Sequence, residues 1–199
     1  MSPGPLLGLP FDLAWLSEPV QWDVVDGRLT IEAGPHTDWF ADPAGEAEPT
    51  LNAPALVGAV TGDFILSARV AVEFAATFDA GVLMLHADDR CWAKLCLERS
   101  PDGSPMVVSV VTREYSDDCN SVVVDGDELW LRVARLGAGY AFHTSSDARR
   151  WQLVRYFGLP AATAFVGFEA QSPLGEGCTA RFSDVSFERR RLSGLRSGA

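Results

Sequence analysis

The sequence predicts an all-β protein built as an antiparallel β-sandwich. Short segments rich in β-branched and aromatic residues recur along the chain, and many of them alternate in polarity. Helical periodicity is poor, and 18 glycines and 12 prolines interrupt the chain. Roughly a dozen strands at this spacing are typical of two antiparallel sheets packed face to face.

Several turns between the strand-like segments have recognisable chemistry. Asp102–Gly103 supplies a hairpin signal, and DGDE (125–128) marks a similar corner. Asp147 is suited to an Asx-type turn, after which Trp151 packs back on a sheet. In order, the segments are VVDGRLTIEA, DFILSARVAVEF, GVLMLHA, CWAKLCLE, MVVSVVTREY, ELWLRVARL, YAFHTS, WQLVRYF, AFVGFEAQ and ARFSDVSFE.

The net charge of the chain and the sequences of its two ends limit the partners and the cellular location that we expect. The net charge of −11 argues against nucleic-acid and anionic-membrane partners. The chain has neither a secretory signal pattern nor an apolar run long enough to span a bilayer, so a cytoplasmic protein is expected. We expect one domain over residues 1–188, followed by a disordered basic tail over residues 189–199.

No metal or cofactor is expected. The four cysteines lack metal-ligand spacing, and reduced thiols are the simpler interpretation. The three histidines lie far apart in sequence. The acidic run SDDCN (116–120) lacks the alternating ligand spacing of a calcium loop.

One lysine, Lys94, lies in the strand-like segment CWAKLCLE, whereas arginine supplies every other cationic side chain. Strand alternation divides this segment between two faces. The apolar face, predicted to be core, holds Cys91, Ala93, Leu95 and Leu97. The other face holds Trp92, Lys94, Cys96 and Glu98.

The neighbouring segments extend the face of Lys94. A symmetric hairpin with GVLMLHA sets His86 opposite Trp92 and Met84 opposite Lys94. The next strand is expected to add its odd-numbered residues, Ser109, Arg113 and Tyr115, although the connecting loop does not fix their parity. Cations, a carboxylate and aromatic rings on one face are typical of a site for carbohydrates or small polar ligands. A solvated outer sheet face is the alternative.

Two further stretches offer candidates. Trp39, in the loop-like HTDWFADPAG, is either a binding residue or a plug for an open edge of the sandwich. In FVGFEAQ, Glu169 shares a face with Gln171 and could approach Glu98 across the sheet.

The order of several segments resembles one family, the "regulation of enolase protein 1"-like group of the concanavalin A-like lectin/glucanase superfamily. The similarity runs from about residue 37 to Phe187 and implies a jelly-roll sandwich of two curved antiparallel sheets, with a ligand surface on the concave face. The segments are FDAGVLMLHADDRCWAKLCLE, SVVTREYSDD, LWLRVARLG, SSDARRW–LVRYF and QSPLGEGCTARFSDVSF. The similar positions are Asp38, Trp39, Asp79, Gly81, Trp92, Lys94, Glu98, Ser109, Thr112, Ser116, Asp117, Arg132, Arg135, Ser145, Asp147, Trp151, Arg155, Ser172 and Pro173.

Two positions depart from the family pattern. Ala148 stands where the family's turn usually has glycine, at a cost of about 1 kcal/mol if its φ is positive. Asp118 stands where the family tends to have an aromatic residue, which argues against an aromatic ligand platform there.

Three functions follow from these patterns. The first is a lectin-like module that binds a carbohydrate or small polar metabolite on the concave face. The second is an enzyme with acid–base groups among Lys94, Glu98, His86 and Asp117. The third is a protein-interaction or regulatory module, with a homodimer through an apolar sheet face left open. The candidate ligand-binding residues are Asp38, Trp39, Met84, His86, Trp92, Lys94, Glu98, Ser109, Thr112, Arg113, Tyr115, Ser116, Asp117, Glu169 and Gln171.

Against catalysis, the Glu-x-Asp-x-x-Glu strand motif of sandwich glucanases does not occur in the sequence. Lys94 also has a purely structural interpretation. Its stem would cross Trp92 while its ammonium pairs with Glu98 or Asp117.

Overall fold

The computed structural model describes residues 6–160 and 164–199, so residues 1–5 and 161–163 of the predicted domain lie outside the described part. A short 3₁₀ turn at Leu6–Gly8 precedes the first strand. The strands are β1 (Ala14–Ser17), β2 (Gln21–Val25), β3 (Arg28–Ala33), β4 (Trp39–Phe40), β5 (Thr50–Leu51), β6 (Ala55–Val60), β7 (Phe64–Glu73), β8 (Ala80–Asp88), β9 (Cys91–Arg99), β10 (Pro105–Arg113), β11 (Tyr115–Val123), β12 (Glu128–Leu136), β13 (Gly139–Ser145), β14 (Gln152–Gly158), β15 (Ala164–Gln171) and β16 (Cys178–Glu188).

Fourteen of these strands form two seven-stranded antiparallel sheets. Sheet A has the order β1-β6-β15-β8-β9-β10-β11, and sheet B has the order β14-β13-β12-β7-β16-β3-β2. The predicted all-β jelly-roll sandwich is therefore confirmed. In the described part of the chain, no helix has the length and apolar character needed to cross a membrane.

The main core lies between the two sheets. Leu95 and Leu97 of β9 are fully buried there, as predicted from the alternation of CWAKLCLE. Phe168 of sheet A meets Phe182 of sheet B with ring centroids 5.1 Å apart. These contacts fix the inward face of β9 and so direct Lys94 to the face that points away from sheet B.

The pairing of β9 with its neighbours confirms one register and overturns another. Met84 lies opposite Lys94 in the β8–β9 hairpin, as predicted. On β10, however, Val110 lies opposite Lys94, so the even-numbered residues of β10 share its face. The prediction for the odd-numbered residues was wrong. Both faces of β10 are covered and apolar, so the polarity of its sequence could not fix the parity.

The outward face of sheet A is covered by residues 37–53, which we call the covering segment. Trp39 and Ala53 from this segment pack on Met84 and Trp92 of the sheet in a second apolar cluster. Trp39 is 3% exposed, and its indole Nε1 donates to the Ala53 carbonyl at 2.9 Å. Trp39 therefore packs on the outward face of sheet A rather than closing an open edge of the sandwich, and its loop-like sequence includes the two-residue strand β4.

The C-terminal segment covers the outward face of sheet B. Leu192 and Leu195 pack on Ile65 and neighbouring apolar residues of that sheet. The imidazole Nε2 of His143 lies 2.7 Å from the Leu195 carbonyl oxygen. The sequence predicts disorder for residues 189–199, whereas in the structure this segment is docked through apolar side chains that its basic composition obscures.

The turn before β14 has the predicted Asx geometry. The Asp147 carboxylate accepts hydrogen bonds from the backbone N–H groups of Arg149 and Arg150, both at 2.8 Å. Ala148, between Asp147 and Arg149, has a φ of 59°, the left-handed conformation that glycine tolerates better.

The docked C-terminal segment makes a measurable contribution to stability. Leu192 is 5% exposed, and we expect Leu192→Ala to lower the free energy of unfolding by about 2 kcal/mol in urea denaturation. Leu174→Ala is the control, because Leu174 is 64% exposed and its truncation should change little. An equal, negligible effect of both substitutions would show that the segment is detached in solution.

Candidate functional site

Lys94 is the centre of a buried polar cluster on the outward face of sheet A. Its ammonium Nζ donates to Asp38 Oδ1 at 2.8 Å and to Gln171 Oε1 at 2.7 Å. Only 2% of its side chain is exposed. The expected pairing with Glu98 or Asp117 was therefore wrong, because the covering segment brings Asp38 within direct contact.

Three separate parts of the chain position the partners of Lys94. Asp38 precedes β4, where its backbone N–H donates to Asn52 Oδ1 at 2.9 Å. Gln171 ends β15, and its amide Nε2 donates to the Phe78 carbonyl at 3.3 Å. The ammonium consequently joins the covering segment, sheet A and the β7–β8 loop.

Two buried carboxyl groups lie near this cluster. Glu169 is fully buried, and neither carboxyl oxygen has a hydrogen-bond partner among the described residues. Burial raises the pKa of Glu169 to about 8, although the charge of Lys94 opposes the shift. Burial likewise raises the pKa of Glu98 to about 8, with Lys94 opposing and Asp118 adding to the increase. Both groups thus retain their protons at neutral pH.

Lys94 itself remains charged. Burial by itself lowers its pKa, but the adjacent carboxylate of Asp38 raises it above the ordinary lysine value. A lysine held as an ammonium is a poor nucleophile and a poor general base. The geometry therefore favours a structural and electrostatic role over amine catalysis.

A cavity of about 400 Å³ opens beside the cluster. Its polar lining comes from Lys94, Glu98, Gln171 and the more exposed rim residues Asp118 and Asn120. Asp38 also belongs to the lining. The rest of the lining is apolar and consists of Phe40, Phe78, Pro101, Met106, Val110, Pro173 and Leu174. We call this space the Lys94 cavity.

The wall of the cavity includes an unusual backbone conformation. Phe78 has a φ of 68°, which is rare for a bulky residue. Its N–H donates to the Arg99 carbonyl at 2.8 Å, and Asp79 anchors the preceding turn through Ala75 and Ala76. Strain of this kind persists where surrounding contacts impose it and is concentrated at ligand sites.

Four of the predicted site residues meet at the cavity, namely Asp38, Lys94, Glu98 and Gln171. Four others, Trp39, Met84, His86 and Trp92, lie buried on the same face but do not line it. Burial lowers the pKa of His86, while the nearby Asp89 opposes the shift. This histidine is thus neutral at neutral pH and lies apart from Glu98.

Two further candidates anchor the covering segment. The Ser116 hydroxyl accepts from the Ala41 N–H at 3.0 Å and shares a 2.9 Å hydrogen bond with the Thr112 hydroxyl. Both side chains are buried. The two hydroxyls serve as hydrogen-bond partners for buried polar groups, so no ligand is needed to explain their presence.

The other four candidates lie away from the cavity. Ser109 is fully buried on the opposite face of β10, and Arg113 donates to the Gly158 carbonyl at 3.1 Å. Tyr115 is exposed, and Asp117 forms a 2.7 Å ion pair with Arg155 of sheet B. The wrong parity of β10 explains the misplacement of Ser109 and Arg113, whereas Tyr115 begins the next strand, β11.

The main residues that sequence reasoning missed are Asp118, Asn120 and the two phenylalanines of the cavity wall. One signal for Asp118 was present, since it stands where the family tends to have an aromatic residue. Phe78 lies in a turn whose geometry depends on tertiary contacts. For metal binding, the described residues contain no group of three or more His, Cys, Asp or Glu side chains arranged to hold an ion.

The fold and the outward cluster define an antiparallel β-sandwich with a covered sheet face. A family described as "Protein of unknown function (DUF1349)" matches residues 15–190, and the chain belongs to this family. It is 30% identical over 176 residues to Regulation of enolase protein 1 of Saccharomyces cerevisiae, covering 86% of this chain and 87% of that protein. The resemblance to that group is therefore confirmed.

Solved structures share this fold. A crystal structure described as a functionally unknown protein from Saccharomyces cerevisiae matches with a TM-score of 0.83 and 27% identity, covering 92% of this chain and 97% of that chain. A Bacteroides ovatus protein described as "Xyloglucan PUL GH43B" matches with a TM-score of 0.71 and 16% identity. That match covers 90% of this chain but 37% of the other, and it shows the fold alone.

The buried ion pair can be tested by a double-mutant cycle. We expect Lys94→Met to lower the free energy of unfolding at neutral pH by about 3 kcal/mol, because it leaves Asp38 uncompensated. Adding Asp38→Asn should restore part of this loss, since the unpaired charge is then removed. Urea denaturation of the four proteins measures the coupling. Strictly additive losses would contradict a direct interaction.

The pKa of Glu169 predicts a pH dependence of stability. The unfolded chain ionises this group near 4.5, whereas the folded chain retains its proton to about 8. The folded state therefore binds more protons in this window, and the free energy of unfolding should fall as pH rises through it. Glu169→Gln should reduce the slope by up to about 1.4 kcal/mol per pH unit.

Urea denaturation between about pH 5 and pH 8 measures this slope. Asp23→Asn serves as the control, because Asp23 is an exposed residue on β2. If Glu169→Gln and Asp23→Asn give the same slope, Glu169 is ionised in the folded protein.

Proposed function

We propose that the chain binds a small, hydroxyl-rich ligand of the carbohydrate class in the Lys94 cavity. The observation that supports this most directly is the combination of Lys94, Glu98, Gln171 and the rim residues in one cavity of about 400 Å³. Binding sites for small molecules commonly have volumes of about 300–1,000 Å³ and combine apolar walls with a few placed polar groups. Hydroxyl groups can both donate to carboxyl and amide oxygens and accept from amide N–H groups.

The walls of the cavity fit the same class of ligand. Phe40 and Phe78 offer apolar surface beside the polar cluster. A sugar ring has apolar C–H faces and polar edges, so it requires both kinds of contact. The proposed ligand surface is therefore one end of the outward face of sheet A, since the covering segment occupies the part around Trp92.

Glu98 also supports a second candidate function, an enzyme acting on a sugar or small organic substrate. A carboxyl group that stays protonated up to about pH 8 is suited to general acid catalysis. Asp118, at the rim of the same cavity, would be the second carboxyl group. In this mechanism Lys94 would tune the two acids without exchanging its own proton.

The expected cytoplasmic location stays a prediction.

A tryptophan at the rim should block the cavity without disturbing the core. Asn120 is exposed and lines the cavity, so we expect Asn120→Trp to abolish binding of saccharides in a ligand-detected NMR screen. Ser121→Trp is the matched control, because Ser121 is the next residue of β11 and is also exposed but does not line the cavity.

The screen should cover neutral, amino and acidic mono- and disaccharides. Saccharide signals that survive in Asn120→Trp but not in Ser121→Trp would move the site elsewhere. A wild-type protein that binds no member of the panel would overturn the proposed function. For the enzymatic alternative, turnover of aryl glycosides that is unchanged in Glu98→Gln would exclude Glu98 as the acid.

A further inference from the structure

Glu98 is a buried acceptor that faces the Lys94 cavity without a partner. Its side chain lines the cavity, and the residue is only 9% exposed. No donor from residues 6–160 or 164–199 is within hydrogen-bond distance of its carboxyl group. Buried polar groups are nearly always hydrogen-bonded, so a donor supplied by a ligand is the expected partner.

The charges around Glu98 indicate what kind of donor fits. Lys94, four residues before Glu98 on the same face of β9, already donates to Asp38 and Gln171. The other ionisable groups that face Glu98 are the carboxyls of Asp38, Asp118 on β11 and Glu169 on β15. Its direct cross-strand neighbours, Ala80 and Met106, carry no charge.

The Asp38 carboxylate offsets the charge of Lys94, Asp118 adds a further acidic group at the rim, and Glu98 can become negative by releasing its proton. A site with this balance repels an anionic ligand and attracts a cationic one. The net charge of −11 on the whole chain acts in the same direction at long range. Beside the carboxyls, Phe40 and Phe78 provide apolar wall that tolerates a partly desolvated ammonium.

We propose that the Lys94 cavity takes a ligand with a positively charged nitrogen next to hydroxyl groups, such as an amino sugar or an aminated polyol, and that Glu98 accepts a hydrogen bond from that nitrogen. The inference rests on the proposed function and names the chemistry of its ligand. Asp118 at the rim is the second carboxylate that the nitrogen meets.

Proton release accompanies this binding. Burial raises the pKa of Glu98 to about 8, so the free protein holds a proton there at neutral pH. To pair with an ammonium, the carboxyl must lose this proton to solvent, while the ligand nitrogen keeps its own. Affinity should therefore rise with pH below 8, approaching about tenfold per pH unit. A neutral polyol binds without ionisation of Glu98, so its affinity should be independent of pH in this range.

The matched probes are 1-amino-1-deoxysorbitol and sorbitol, which differ in one terminal group, with glucosamine and glucose as a cyclic pair. Isothermal titration calorimetry of the full chain should show at least about tenfold tighter binding of the amine in each pair, equivalent to about 1.4 kcal/mol. Titrations in two buffers of different ionisation enthalpy should show release of up to one proton. Glu98→Gln should remove both effects, whereas Glu18→Gln on an exposed loop should leave them unchanged.

The outcomes separate this inference from the proposed function. Equal binding of amine and neutral probes, both blocked by Asn120→Trp, would overturn the inference and leave the function intact. Amine binding that Asn120→Trp does not block would place the amine outside the cavity and also overturn it. Binding by no probe overturns both. If Glu98→Gln fails to fold, the exposed Asp118→Asn provides the test, and an undiminished preference for the amine would contradict the inference.

Discussion

The buried hydrogen bonds of the Lys94 ammonium organise the outward face of sheet A. Removing a charge from water is expensive, and the protein compensates by placing Asp38 and Gln171 at 2.8 and 2.7 Å from the nitrogen. Because Asp38 belongs to the covering segment, the ion pair also fixes how that segment lies on the sheet. Trp39, the next residue, is thereby directed into the apolar cluster over Trp92. The cavity occupies the part of the face that this packing leaves open.

Much of the fold could be predicted from local pattern. Alternation in CWAKLCLE predicted which side of β9 is core, and the short β8–β9 hairpin transmitted that register to Met84. The same logic failed at β10, because PMVVSVVTR is apolar on both faces and a longer turn separates it from β9. A strand covered on both sides has no polarity from which to deduce its parity.

The site was predictable only in part, for a related reason. Lys94 and Glu98 were identified because the alternation of CWAKLCLE places them on the face opposite the core. Gln171 was identified because it shares a face of its strand with Glu169. Asp38 was suggested by its similarity to the family, but its contact with Lys94 is made across 56 positions of sequence. Trp39 looked like a loop aromatic because the residues that bury it come from distant strands. Its local sequence therefore gives no signal of burial. The wall residue Phe78 depends on the Arg99 carbonyl and the Asp79 anchor, which no local pattern reveals.

The burial of a unique lysine has a practical consequence for labelling chemistry. An amine-reactive reagent meets one lysine side chain in this chain, and in the native state that amine is both covered and protonated. Acylation at Lys94 therefore requires the opening of its buried contacts to Asp38 and Gln171. The rate at which this side chain becomes modified is a direct kinetic reporter of that opening, obtained without introducing a probe. A lysine-specific protease would report the same event by producing two fragments.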